Sequence, residues 1–137
     1  MPAINNNLEL IIQVRVCDYI RVMHCGVLFS SNYGSGIKLT IRQASIQKRL
    51  QSNRGAPDLI IYEPRGEYVG LAIELKREGV KIAKKDGSAV STHVQEQNDY
   101  LEALRKRGWK CFFCIGYTDA IKTIDEYLGI DTLKVEF

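Results

Sequence analysis

The sequence predicts an α/β fold, a mixed β-sheet flanked by helices in one domain, and three observations carry that expectation. Two short runs, Gly55–Tyr62 and Val69–Lys76, are apolar and rich in β-branched or aromatic residues, which reads as a pair of strands. Between them lies Glu63-Pro64-Arg65-Gly66, with proline and glycine where a type I turn takes them, so the pair is expected to be a β-hairpin. A helical pattern from Thr92 to Leu104 then leads through Gly108 into the apolar run Trp109–Ile115. A strand, a crossover helix and a further strand add a parallel strand to the hairpin sheet. With 137 residues the chain suits a single domain, 1–137, with its core over about 7–128.

Composition narrows the class. Hydrophobic residues make up 45% and charged residues 26%, as in ordinary globular proteins. A net charge of +3 is compatible with a nucleic-acid partner without requiring one. No apolar run reaches transmembrane length and no signal peptide is visible, so a cytoplasmic protein without a membrane partner is expected, in the host cytoplasm if phage-encoded. Cys17, Cys25, Cys111 and Cys114 are then expected as free thiols. Cys111 and Cys114 spell C-x-x-C but lack a second pair, and on a strand they point to opposite faces, which disfavours zinc.

Taken in order, Asn6 and Glu9 stand at capping-box spacing, and Leu8, Ile11, Ile12, Tyr19, Ile20 and Met23 recur at helical spacing. A helix is expected over roughly 7–24, with Gly26 as its stop and Glu9, Gln13, Val16 and Ile20 on a side next to the apolar stripe. Val27–Ser30 reads as a short strand, and Ser31–Gly36 as a glycine-rich loop. That loop lacks the Gly-Lys-Ser/Thr ending of a P-loop, so no nucleotide cofactor is expected. Residues 39–51 look helical. Arg77 to Ser88 is basic and punctuated by glycine, hence an exposed loop, either solvated or tracking a phosphate backbone. Ser91 or Thr92 caps the next helix, whose inward side runs Val94, Gln97, Leu101, Leu104, so an amide sits where an apolar residue would be expected. Gln95 falls on the outer face. His24 and His93 are isolated and suit surface or satisfied core positions. Ala120, Ile121, Ile124, Tyr127 and Leu128 mark a last helix ended by Gly129, and Thr132–Phe137 suits a terminal strand.

The chemistry gathers on the hairpin. In its second strand Val69, Leu71, Ile73 and Leu75 share one face, and Gly70, Ala72, Glu74 and Lys76 the other. In a hairpin centred near Gly66, the start of the first strand lies opposite the end of the second, which brings Asp58 close to Glu74. Two carboxylates and an ammonium then converge at one end of an apolar hairpin. Close carboxylates repel, and a hard cation such as Mg2+ relieves that repulsion. Such a site suits phosphodiester hydrolysis, with Lys76 orienting the attacking water or neutralising developing charge. The bland alternative makes Asp58 a turn residue and Glu74 and Lys76 a solvated strand face. For Glu9 the helix alone favours capping and contact with the helix dipole over a third acid at the metal.

Glu9, Pro57-Asp58, Glu74-Leu75-Lys76 and the helix Gln97-x-x-Tyr100-Leu101-x-x-Leu104-x-x-x-Gly108 together resemble the PD-(D/E)xK nuclease superfamily. Within it they resemble the virus-type replication-repair nuclease (VRR-NUC) family in its short stand-alone phage or bacterial form, from Glu9 to Leu128. The resemblance implies a restriction-endonuclease-like fold. It implies that Asp58, Glu74 and the Leu75 backbone carbonyl bind Mg2+ or Mn2+, that Lys76 positions or activates water, that Glu9 assists at the metal directly or through water, and that Gln97 braces the site. It also implies a DNA endonuclease, with stand-alone relatives resembling homodimers that resolve branched DNA such as four-way (Holliday) junctions in DNA repair. Arg54, Arg77, Lys81, Lys84 and Lys85 are the candidate DNA contacts. The sequence departs from the family pattern at Tyr100, where tryptophan is frequent, and in a longer basic loop after Lys76. A flap, nicking or RNA-directed nuclease on this scaffold, or a non-cleaving nucleic-acid-binding module, is the alternative.

Overall fold

The computed structural model describes residues 8–32 and 38–129. Asn6 of the predicted capping box, Tyr33–Gly36 of the predicted loop and the predicted strand Thr132–Phe137 lie outside the described residues. The elements in order are α1 (Leu8–Met23), β1 (Phe29–Ser31), α2 (Ile41–Arg49), β2 (Leu59–Ile61), β3 (Gly70–Lys76), α3 (Thr92–Arg105), β4 (Trp109–Ile115) and α4 (Tyr117–Leu128). The four strands form one sheet in sequential order, antiparallel between β1, β2 and β3 and parallel between β3 and β4. This is the mixed sheet with flanking helices that the sequence predicts.

β3 is central, and every residue from Gly70 to Lys76 is buried. Leu71, Ile73 and Leu75 point to one face, where they meet Leu59 and Ile61 of β2, Cys114 of β4, Val16 and Ile20 of α1, and Ile124 of α4. Ala72 points to the other face, where Leu101 of α3 and Cys111 of β4 close a smaller core flanked by Ile60, Trp109 and Phe113. Cys111 and Cys114 thus lie on opposite faces as expected, each a buried thiol whose pKa burial pushes up to about 11.

Several expectations are corrected. The buried side of α1 is Gln13, Val16, Cys17 and Ile20, whereas Leu8, Ile11 and Met23 of the predicted stripe are exposed. The helix is rotated because α4 and the sheet claim the side that carries Gln13. β1 runs Phe29–Ser31 rather than Val27–Ser30, since it pairs with Leu59–Ile61 and so includes Ser31. The hairpin turn is not a type I turn over Glu63–Gly66. Arg65 and Tyr68 pair around Gly66-Glu67, with Gly66 at φ +57°, the left-handed first position that twisted hairpins favour. Between that pair and Ile61↔Leu71 the first strand has one residue more than the second, a bulge that takes up Pro64. α2 is shorter than predicted, Ile41–Arg49, and begins with a capping box of Thr40 and Gln43. Of the two expected capping residues, Ser91 caps α3, accepting from Val94 N at 3.1 Å. α4 begins at Tyr117 and, as expected, ends at Gly129, with φ +78°.

His24 is the satisfied core histidine of the two options. Its Nε2 lies 2.9 Å from Asp125 Oδ1, and Tyr19 donates to Asp125 Oδ2 at 2.7 Å, tying α1 to α4. Among the described residues no helix is long and apolar enough to cross a membrane.

Candidate active site

The β2–β3 register pairs Leu59 with Ile73 and Ile60 with Ala72. Extended by one residue, it sets Asp58 opposite Glu74, on the face that carries Ala72. The expectation of a hairpin centred near Gly66 holds, because the Arg65↔Tyr68 turn together with the one-residue bulge gives the pairing that such a hairpin would have. β2 begins at Leu59, and just before it the Asp58 side chain takes over the ladder: its Oδ2 accepts from Leu75 N at 2.8 Å.

Asp58, Glu74, Lys76 and Gln97 are all buried, Glu74 at 1% exposure and Lys76 at 6%. Burying a carboxylate favours its protonated form, and a second carboxylate beside it adds to that preference. Burial first, then the charge of Asp58 and its hydrogen-bonding approach, push the Glu74 carboxyl up to about 11. Lys76 pulls in the opposite direction, and Glu9 adds to the rise. The protein alone therefore favours the protonated form of the Glu74 carboxyl.

Gln97 is the buried amide that the pattern of α3 singles out. Its Nε2 donates to Glu74 Oε1 at 2.7 Å, while Gln95 faces outward and bonds Asp99 at 2.7 Å. Glu74 Oε2 and Gln97 Oε1 are buried and, among the described residues, have no hydrogen-bond partner. A buried carboxylate oxygen without a donor is costly unless a proton or a cation reaches it. Two buried acids, one such oxygen and a neighbouring backbone carbonyl form an oxygen-only donor set, which fits a hard divalent cation.

Above the site opens a cleft of about 730 Å³. Glu74 and Gln97 lie along it, with Asn32, Lys48, Arg54 and His93 among the lining residues. Of the predicted DNA contacts, Arg54 thus lines the cleft, whereas Arg77, Lys81, Lys84 and Lys85 are exposed on the segment after β3 and stand outside that lining. This segment is a small hairpin, with Ala83 bridged to Ala89 and Lys84 N donating to Ser88 O at 2.7 Å.

Glu9 lies in the first turn of α1, half-buried, near enough to influence Glu74. It does not complete a tight cluster with the pair: among the described residues no three His, Cys, Asp or Glu side chains converge as a metal-ligand set.

Two positioning features are not apparent from the sequence pattern. Gln13 Nε2 donates to Ser31 Oγ at 2.5 Å and to Asn32 O at 3.1 Å, and Ser31 Oγ donates in turn to Asp58 O at 2.7 Å. Asn32 N reaches the same Asp58 carbonyl at 2.9 Å. α1 and β1 together hold the main chain of Asp58. A signal for the first exists, since Gln13 is an amide on the Val16–Ile20 side of α1, the same anomaly that marks Gln97. Gly55, at φ +87°, packs directly on α3: a β-carbon there would lie 2.7 Å from the Glu96 carbonyl and 2.8 Å from Gln97 N. Its lack of a side chain lets the Asp58 strand and the Gln97 helix approach.

No protein-family model matches the sequence, and no curated protein matches it. Solved structures do. The chain is similar to one described as a "VRR_NUC domain protein", with a TM-score of 0.63 and 24% identity over 88% of this chain and 88% of that one. A second, described as a "VRR_NUC domain", gives a TM-score of 0.47 and 23% identity over 85% of this chain and 97% of that one. The fold is restriction-endonuclease-like, as the sequence resemblance implied.

Proposed function

We propose that the chain is a nuclease of the VRR-NUC type, a metal-dependent endonuclease that hydrolyses phosphodiester bonds in DNA. The observation that carries this reading is the buried Asp58–Glu74 pair beside Lys76, with Glu74 lining an open cleft and its Oε2 without a donor among the described residues. The likeness to a "VRR_NUC domain protein" supports it at the level of fold.

In this reading Asp58, Glu74 and the Leu75 carbonyl hold Mg2+ or Mn2+, with Glu9 assisting through water. The bound cation supplies positive charge next to a phosphate oxygen and makes water a better acid. Everything else falls to the chain. Gln97 fixes Glu74 through Oε1 and leaves Oε2 unspent. Leu75 N orients Asp58 through Oδ2. Lys76, an ammonium at the end of the central strand, orients the attacking water and offsets the charge that builds on the phosphate. The burial of all three charged groups strengthens each of these interactions. The substrate is DNA, with branched DNA such as a four-way junction preferred and a homodimer making paired cuts, as the sequence resemblance suggests.

A cleavage assay tests this on labelled four-way junction, flap and linear duplex DNA, with Mg2+, Mn2+ or EDTA. Cutting is expected with the cations and not with EDTA. Asp58→Ala should abolish it while leaving binding largely intact. Equal cutting by that variant refutes the assignment.

A further inference from the structure

Among the described residues, no element packs extensively against α2. None of its nine residues is buried, Ile41 is 93% exposed, and Leu50 at its C-cap is 79% exposed. Helices this short are unstable alone in water, and a capping box offsets only part of that deficit. The charge around it is one-sided. Residues 38–54 contain Lys38, Arg42, Lys48, Arg49 and Arg54 and no acid. Set those five aside from the chain's 19 basic residues and the remainder no longer outnumber its 16 acids. The protein's net positive charge therefore resides in this segment. One side of α2, with Ser45, Gln47 and Lys48, continues through Gln51 to Arg54 and forms a wall of the cleft that holds Glu74 and Gln97.

From this placement we infer that α2 is a nucleic-acid-gripping arm. Lys48 and Arg54 hold phosphates of the strand that lies in the cleft, and Gln47 and Gln51 face its sugars or base edges. The strand is the missing partner that covers the inner side of α2, and its polyanionic backbone is the chemistry that a segment with five bases and no acid recognises. The inference rests on the nuclease reading and names the surface that brings substrate to that site. Because the grip is electrostatic and separate from the acids, it operates without a divalent cation.

The test is fluorescence anisotropy of labelled DNA with the full chain in EDTA, over a range of salt. Lys48→Ala/Arg54→Ala should weaken binding about tenfold and lower the log–log salt slope by about 2, one for each phosphate left without its cation. Gln47→Ala/Gln51→Ala should weaken binding with the slope unchanged. In Mg2+, Lys48→Ala/Arg54→Ala should raise KM and leave kcat within about twofold, the signature of weakened uniform binding. Lys122→Ala, on the exposed side of α4, is the control and should change nothing. Hydrogen exchange of the wild-type chain supplies a readout free of variants: amides of residues 41–49 should slow when DNA is added. If the wild-type chain binds and cuts DNA while the double variant keeps its affinity and slope and α2 gains no protection, the arm is refuted and the nuclease reading stands. If the wild-type chain neither binds nor cuts any of the DNAs, both fall.

Discussion

Gln97 Nε2 donates to Glu74 Oε1 at 2.7 Å, joining the inward face of α3 to the central strand at the point where two buried acids meet. The amide satisfies one oxygen of Glu74 and leaves the other unspent, so α3 orients the carboxylate without neutralising it. The close approach at Gly55 fixes the depth of that helix, and the Gln13–Ser31–Asp58 relay fixes the opposing acid from the other side of the sheet.

Gln97→Ala should therefore weaken divalent-cation binding. Loss of an outer partner of a metal-binding carboxylate costs on the order of 10–100-fold in affinity or activity. Titration calorimetry with Mn2+ on both proteins checks this, and unchanged affinity would remove Gln97 from the site. Gln97→Glu should be worse for the metal-free fold than Gln97→Ala, because it adds a third acid to a buried pair.

The Glu74 carboxyl makes stability depend on pH in a stated direction. Its pKa in the fold, pushed up to about 11 from 4.5, lies above the unfolded value. The unfolded chain then releases this proton first, so the group's contribution is fully present below about pH 4.5 and is lost progressively as pH rises toward 11. In EDTA the melting temperature should fall from about pH 6 to about pH 9, and Glu74→Gln should flatten that fall. A divalent cation should raise the wild-type melting temperature more at the alkaline end of that range than at the acidic end. Matching slopes for wild type and Glu74→Gln would show that this carboxyl is not buried in its acidic form.

Gly55 and Gly129 separate conformational strain from crowding. Both have positive φ, +87° and +78°, but among the described residues a β-carbon at Gly129 meets nothing within 4 Å, whereas at Gly55 it meets the α3 backbone. Gly129→Ala should cost about 1 kcal/mol by urea unfolding. Gly55→Ala should cost roughly 1–3 kcal/mol more and also reduce cleavage, since α3 must move and take Gln97 with it. Equal costs would mean that α3 is free to yield.

Two isoleucines calibrate the packing. Ile20 is fully buried between α1, α4 and the sheet, and Ile20→Ala should cost about 2–5 kcal/mol. Ile41 is almost wholly exposed, so Ile41→Ala should stay within about 0.5 kcal/mol in the absence of nucleic acid. A large loss of stability at Ile41 would give α2 a packing partner within the chain.

By itself the sequence determined the fold class, the order of the elements and the pairing of Asp58 with Glu74. Those properties follow from local periodicity: strand alternation sorts Leu71, Ile73 and Leu75 from Ala72, Glu74 and Lys76, and an inward amide in α3 stands out against Val94 and Leu101. The turn is centred between Gly66 and Glu67 rather than between Pro64 and Arg65, and the single extra residue of the bulge sets the pairing to that of a hairpin centred on Gly66, which brings Asp58 to Glu74. Only the tertiary structure decided which side of α1 is buried. Leu8, Ile11 and Met23 are as apolar as Val16 and Ile20, and the choice between the two sides depends on α4 and β1, which are distant in sequence. The same holds for Gln13, whose role depends on Ser31 and Asp58 arriving beside it, and for α2, whose apolar spacing looks like that of a core helix although none of its residues is buried. Periodicity reports which residues share a face; what that face meets is settled by chain segments that no local window contains.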